Sequence, residues 1–284
     1  MKVLFGNEVA NKITSSLIQD VTKLNDAGVI PTLATIRVGH RPEDISYETG
    51  IQKRCQKIGV NLKKIILPQN CTQNQLLEEI KKINKDTFID GCLIFRPLPS
   101  QMDDEIVRNS LSPEKDMDGI TDLSLAGIFT GTPKGYSPCT PDACVNMLKY
   151  YGINVNGKNV VIIGRSLVLG RPLAMMLMKL GATITICHSH TKNLKRHCVC
   201  ADIIVAATGH TKLVTKDMVG ANQILIDVGI SETREGNLCG DVDFEHVAPL
   251  VEAITPVPGG VGSVTTTILA KHVIDACRKK VINN

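Results

Sequence analysis

Residues 160–172 read VVIIGRSLVLGRP: a run of four apolar β-branched residues, then Gly164, a short polar turn, and Gly170 opening a helix-like segment. A buried strand passing through a glycine turn into a helix is the repeating unit of a parallel, doubly wound sheet. The turn departs from G-x-G-x-x-G, because Ser166 stands at the second glycine position and Gly170 comes one residue late. The start of such a helix still offers unpaired N–H groups and a positive dipole end to phosphate. Arg165 adds a permanent cation, which makes Gly164, Arg165 and Ser166 candidates for holding a nucleotide. A strand-to-helix turn without any ligand is the plain alternative.

The pattern extends in both directions. Downstream, ATITIC (182–187), DIIVAAT (202–208) and QILIDVGI (223–230) read as further strands, with helices at 141–151 and 171–180. This unit closes near PVPGGVG, 256–262. NAD sites place an acidic residue after the second strand to bind the ribose 2′-hydroxyl. Here ATITIC runs instead into His188, Ser189, His190, Thr191 and Lys192. Arg165 and Ser189 suit a 2′-phosphate, so NADP is the expected cofactor. Whether His190 alters that pocket is open.

Upstream, a helix at 3–27 precedes PTLATIRV (31–38), a helix at 45–58, VNLKKIIL (60–67), a helix at 73–85 and GCLIF (91–95), which leads into Arg96-Pro-Leu-Pro. A last helix, 264–280, follows the glycine-rich loop. The expectation is α/β with two α/β domains: 1–136 with 263–284, and a Rossmann-like nucleotide-binding domain, 137–262, inserted before the returning C-terminal helix. The chain would then pass between domains twice. A length of 284 residues suits two domains.

Charge narrows the function classes. The 32 basic and 28 acidic side chains are scattered, without the stripe that a nucleic-acid backbone requires. Met1–Ala10 lacks an apolar run of signal-peptide length, and no stretch approaches a membrane span, so a cytoplasmic protein is expected. The ten cysteines then read as free thiols. Cys187, His188, His190, His197, Cys198 and Cys200 are soft ligands in a short stretch, but their spacing fits no standard zinc pattern, and no metal is expected.

Seven motifs in order complete the picture: KDMDG (115–119), SPCTP (137–141), GRSLVLGRP (164–172), CHSHT (187–191), DVGI (227–230), GDVDF (240–244) and TPVPGGVG (255–262). Together they resemble the methylenetetrahydrofolate dehydrogenase/cyclohydrolase family, often called FolD. The resemblance implies a homodimer, a folate cleft between the domains, and hydride transfer from 5,10-methylenetetrahydrofolate to the nicotinamide. It implies that Tyr47 lies beside the folate, that Asp118 binds the pterin ring, and that Pro258 and Gly259 contact substrate. Gly260, Val261 and Gly262 would lie near the nicotinamide, with Thr208, Gly209, Ile230 and Thr265 completing the cofactor contacts.

The sequence also departs from the family pattern. The family's hydrolysis of the methenyl product to the 10-formyl form uses a lysine one helical turn after the tyrosine, supported by a glutamine ahead of the Pro-Leu-Pro segment. Ile51 and Phe95 stand there, and neither side chain relays protons. Lys53 points to a different helix face, and Arg54 lies on the right face but is a poor base. Arg96 is either a positive charge near the folate or a solvent-facing residue. The expectation is therefore a dehydrogenase with weak or absent cyclohydrolase activity. The alternatives are a bifunctional enzyme with a substitute group, and a non-catalytic binding paralogue.

Overall fold

The computed structural model describes residues 1–132, 134–232 and 236–283. In chain order it begins with β1 (Lys2–Val3), α1 (Gly6–Asp26), β2 (Thr32–Val38), α2 (Pro42–Ile58), β3 (Asn61–Leu67), α3 (Gln73–Lys85), β4 (Gly91–Ile94), α4 (Asp104–Ser110), α5 (Asp122–Thr130) and α6 (Cys139–Tyr150). It continues with β5 (Asn159–Ile163), α7 (Gly170–Lys179), β6 (Thr183–Cys187), α8 (Leu194–Val199), β7 (Ile203–Ala206), β8 (Ile224–Asp227), β9 (Ser231–Glu232), β10 (Leu238–Cys239), α9 (Phe244–Val247), β11 (Ala253–Ile254) and α10 (Gly262–Asn283). Contacts divide the chain into two compact units, Met1–Asn11 with Thr140–Thr265 and Lys12–Cys139 with Thr266–Asn284.

The first unit is built on a six-stranded sheet of order β1-β11-β8-β7-β5-β6, parallel at every pairing. From β5 the chain steps outward to β6 and then returns to the other side of β5 as β7. That reversal opens a crevice beyond the carboxyl ends of β5 and β7, where doubly wound folds bind ligands. The buried strand residues explain the apolar runs: β7 is enclosed throughout, and Val161, Ile163, Ile204, Leu225 and Ile254 share one core cluster.

The boundaries differ from the sequence reading at the amino terminus. Lys2 and Val3 pair with Ala253 and Ile254, so α1 begins only at Gly6 and residues 1–11 belong with the six-stranded unit. The chain consequently passes between units three times rather than twice. A two-residue strand shows no periodicity to read.

The second unit holds a three-stranded parallel sheet, β3-β2-β4. All seven residues of β2 are buried, whereas the edge strand β3 exposes Lys63 and Lys64, charges that discourage edge-to-edge pairing. Pro42 opens α2 and Gly59, at φ 92°, closes it in the left-handed region. A reciprocal Thr72–Gln75 capping box starts α3. The sequence reading had no counterpart for α4 or α5. The first has seven residues, and the second leaves Leu123 and Phe129 exposed, so neither shows a clean apolar stripe. Within this unit α10 is tied down by Lys280 on Asp90 at 2.8 Å and Arg278 on Asp20 at 2.6 Å. No helix among the described residues is long and apolar enough to cross a membrane.

Candidate active site

In the three-stranded unit the candidates gather at the carboxyl ends of β2 and β4. Tyr47 stands on α2, the helix after β2, and Phe95 directly follows β4. Their rings meet edge to face, 6.0 Å apart at 80°. Ile51, one turn beyond Tyr47, is 1% exposed and Phe95 is 6% exposed, so both positions are filled by apolar groups packed into the protein.

The two acids of KDMDG have separate tasks. Asp116 is fully buried and accepts hydrogen bonds from Ile120 N (3.0 Å), Thr121 N (2.8 Å) and Ser124 Oγ (2.7 Å), folding the turn that follows. Asp118 is half-buried, and its Oδ1 accepts from Cys139 N at 3.3 Å. Burial pushes the Asp118 carboxyl up to about 6, the Cys139 N–H draws it partly back, and the neighbouring Asp116 charge raises it again. Burial above all, then the charges of Asp118 and Cys139, holds the Tyr47 phenol well above its ordinary range. A neutral phenol and a titratable carboxyl beside an aromatic face suit a flat heterocycle that both donates and accepts hydrogen bonds.

Two arginines considered in the sequence are engaged elsewhere. Arg96 forks onto Asp104, with Nε at 2.7 Å from Oδ1. Arg54 donates from Nη1 to Thr14 Oγ1 at 3.0 Å.

In the six-stranded unit every proposed cofactor loop lies at the carboxyl edge of the sheet. Gly164 follows β5 at φ 131°, and a Cβ there would come within 2.4 Å of the Ala207 carbonyl oxygen. A Cβ on Gly170 would lie 2.0 Å from the Gly164 oxygen, so both glycines are required by close backbone approach. No side chain caps α7, and Arg165 and Ser166 are exposed at its start. After β6, His188 N donates to Thr191 Oγ1 (2.9 Å) and His190 N donates to His188 Nδ1 (3.2 Å), forming a turn that presents Ser189. The His188 imidazole is held below its ordinary range by desolvation and by the Arg165 and His190 charges, so Arg165 shares this corner.

Two aspartates that the sequence reading quoted inside motifs, but gave no task, shape the other loops. Asp241 Oδ2 accepts from Thr208 N, from Thr208 Oγ1 at 2.9 Å and from Gly209 N at 3.2 Å. Asp227 Oδ1 accepts from Gly229 N (3.0 Å) and Asp241 N (3.1 Å), and its Oδ2 accepts from Val242 N (2.9 Å). The only hint was a glycine beside each: a Cβ on Gly229 or Gly240 would run into these carboxylates. The hydroxyl of Thr208 is thus occupied inside the protein. Thr265 is buried and donates to the Val261 carbonyl at 3.4 Å.

Beyond β8 and β11, Val228–Ile230 and Pro256–Ser263 enclose a cavity of about 270 Å³. Pro258, Gly259 and Gly262 are exposed, while Gly260 and Val261 are buried. Glycine backbone and a mainly apolar lining suit the face of an aromatic ring. Among the described residues no three His, Cys, Asp or Glu side chains are arranged to hold a metal. Cys198 lies within α8 and is buried like Cys187, whereas Cys200 is exposed.

These two edges have counterparts in known proteins. The model of the tetrahydrofolate dehydrogenase/cyclohydrolase catalytic domain matches residues 4–118, and that of the family's NAD(P)-binding domain matches residues 138–281. The bifunctional protein FolD of Clostridioides difficile is 44% identical over 277 residues, covering 98% of this chain and 96% of that one. The bifunctional FolD dehydrogenase/cyclohydrolase of Campylobacter jejuni superposes with a TM-score of 0.97 at 36% identity, covering 99% of both chains. The Trypanosoma brucei dehydrogenase-cyclohydrolase, solved with NADP and an inhibitor, gives 0.93 at 30% identity and 98% of both chains. With both halves matched, the chain belongs to the tetrahydrofolate dehydrogenase/cyclohydrolase family.

Proposed function

We propose that the chain oxidises 5,10-methylenetetrahydrofolate to the 5,10-methenyl form with NADP, as a cytoplasmic homodimer. The observation that carries this reading is the grouping of Tyr47, Phe95 and Asp118 at one sheet edge, in a chain whose other unit matches an NAD(P)-binding domain. When bound, NADP supplies the acceptor for the hydride leaving the carbon between N5 and N10. A folate nitrogen lone pair drives that departure, so this step asks the protein for positioning rather than proton transfer. Asp118 accepts hydrogen bonds from the pterin, and Tyr47 donates from its neutral phenol beside the ring. Arg165 and Ser189 hold the 2′-phosphate, since the turn after β6 carries no carboxylate. Gly164, Ser166, Gly209 and Gly260–Gly262 offer backbone to the cofactor, with Ile230 at the rim.

For the second step, hydrolysis of the methenyl product to the 10-formyl form, the bifunctionality of the relatives supports retention. On that reading the enzyme is fully bifunctional, and a group other than Ile51 and Phe95 moves the protons. A dehydrogenase that has lost hydrolysis is the second reading, favoured by the burial of those two apolar side chains. The deciding experiment mixes purified protein with methylenetetrahydrofolate and NADP and follows NADPH, then supplies the methenyl compound and follows 10-formyl product. Absence of NADPH formation sinks the proposal. Hydrolysis no faster than in buffer selects the second reading. Sedimentation of a monomer alone would remove the homodimer.

A further inference from the structure

His272 lies on α10 and is 4% exposed, with its ring 5.1 Å from that of Tyr136. Its Nδ1 is 2.9 Å from the carbonyl oxygen of Met117, a residue 155 positions earlier in the chain. A carbonyl only accepts, so Nδ1 carries the proton and donates it. Met117 is the residue immediately before Asp118. Its side chain is fully buried and packs where Gly91 has no Cβ, which leaves the peptide between Met117 and Asp118 little freedom to move.

Cys139 approaches the same peptide from the other side. Its Sγ lies 3.2 Å from Met117 O and 3.9 Å from His272 Nδ1, and its backbone N donates to Asp118 Oδ1. The Met117 carbonyl, with two lone pairs, thus takes a donor from each side, the Cys139 thiol and His272 Nδ1.

We infer that His272 is a positioning residue for the folate site: its Nδ1–H joins the Cys139 thiol on the Met117 carbonyl and fixes the peptide that carries Asp118. The inference rests on the proposed role of Asp118 in binding the pterin. A purely structural histidine would matter through the packing of its ring on Tyr136, and a positioning histidine through its donor.

Two variants of the full chain separate these roles. His272→Phe keeps the ring and loses the donor, whereas His272→Asn keeps a donor near Nδ1 and loses the ring. Tetrahydrofolate and NADP affinities are measured by titration calorimetry, alongside thermal unfolding. The expected result is a Kd for tetrahydrofolate raised roughly tenfold in H272F and nearly unchanged in H272N, with NADP binding as in the parent and H272N the less stable of the two. Folate affinity that instead follows thermal stability, falling more in H272N, overturns the inference. A parent chain that binds NADP but not tetrahydrofolate overturns the proposed function and removes this inference with it.

Discussion

The two sheet edges are built by different means. At the six-stranded edge the candidate contacts are mostly backbone, shaped by Gly164 and Gly170 and strutted from beneath by Asp227 and Asp241. At the three-stranded edge they are side chains: Tyr47, Phe95 and Asp118. A backbone site tolerates almost no change at Gly164 and Gly170, where an added Cβ meets neighbouring main chain. A side-chain site can exchange its chemistry while the fold persists; on the reading proposed above, Ile51 and Phe95 are the positions where that exchange is to be tested.

Substitutions should therefore fail at one edge and retune the other. The largest effect is expected from Gly164→Ala, whose Cβ meets the Ala207 carbonyl and whose φ is unfavourable. Cofactor binding is lost and unfolding becomes easier by roughly 2–4 kcal/mol, read by calorimetry and denaturant titration. A stable, NADP-binding G164A would break the comparison. The double change Ile51→Lys with Phe95→Gln comes next, raising 10-formyl formation on the order of 100-fold. No gain would mean that the family's proton path needs more than these two side chains.

Asp118→Asn is expected to lower kcat/KM for the folate roughly 30-fold. Its pH behaviour sharpens the point. The folded carboxyl titrates near 6, above its ordinary 3.8, so the native state keeps its proton longer than the unfolded chain. Stability therefore falls as pH rises from 3.8 to about 6, while folate binding through the carboxylate improves over the same window. D118N should lose the inflection in kcat/KM near 6 and part of the stability slope. Asp227, likewise raised to about 6 by burial, contributes slope of the same sign. The smallest effect is Arg165→Gln, expected to raise KM for NADP roughly tenfold with little change for NAD. Equal losses for both cofactors would remove the 2′-phosphate assignment.

Much of the fold could be read from residue order. The helix at 73–85 and the strands from 160 to 227 lie within a few residues of where periodicity and β-branched runs place them. What escaped has physical reasons. Strand β1 has two residues and exists only because β11 lies beside it. Helices α4 and α5 are short or lack an apolar stripe. At the sites, the glycine turns at Gly164 and Gly170 were legible from residue type and spacing, whereas Tyr47 was singled out only by the family resemblance. The struts were not: Asp116, Asp227 and Asp241 act by accepting N–H groups from a fold that a linear reading does not supply, and Cys139 and His272 meet at Met117 only in three dimensions.

The pairing of Lys2–Val3 with Ala253–Ile254 has a consequence for biogenesis. Strand β1 must wait for β11, far later in the chain, before it can be zipped into its sheet. Neighbouring strands can assemble earlier, but that margin stays open until β11 has been made. Interrupted synthesis would therefore release chains with an uncovered, adhesive border, natural clients for chaperones and proteases.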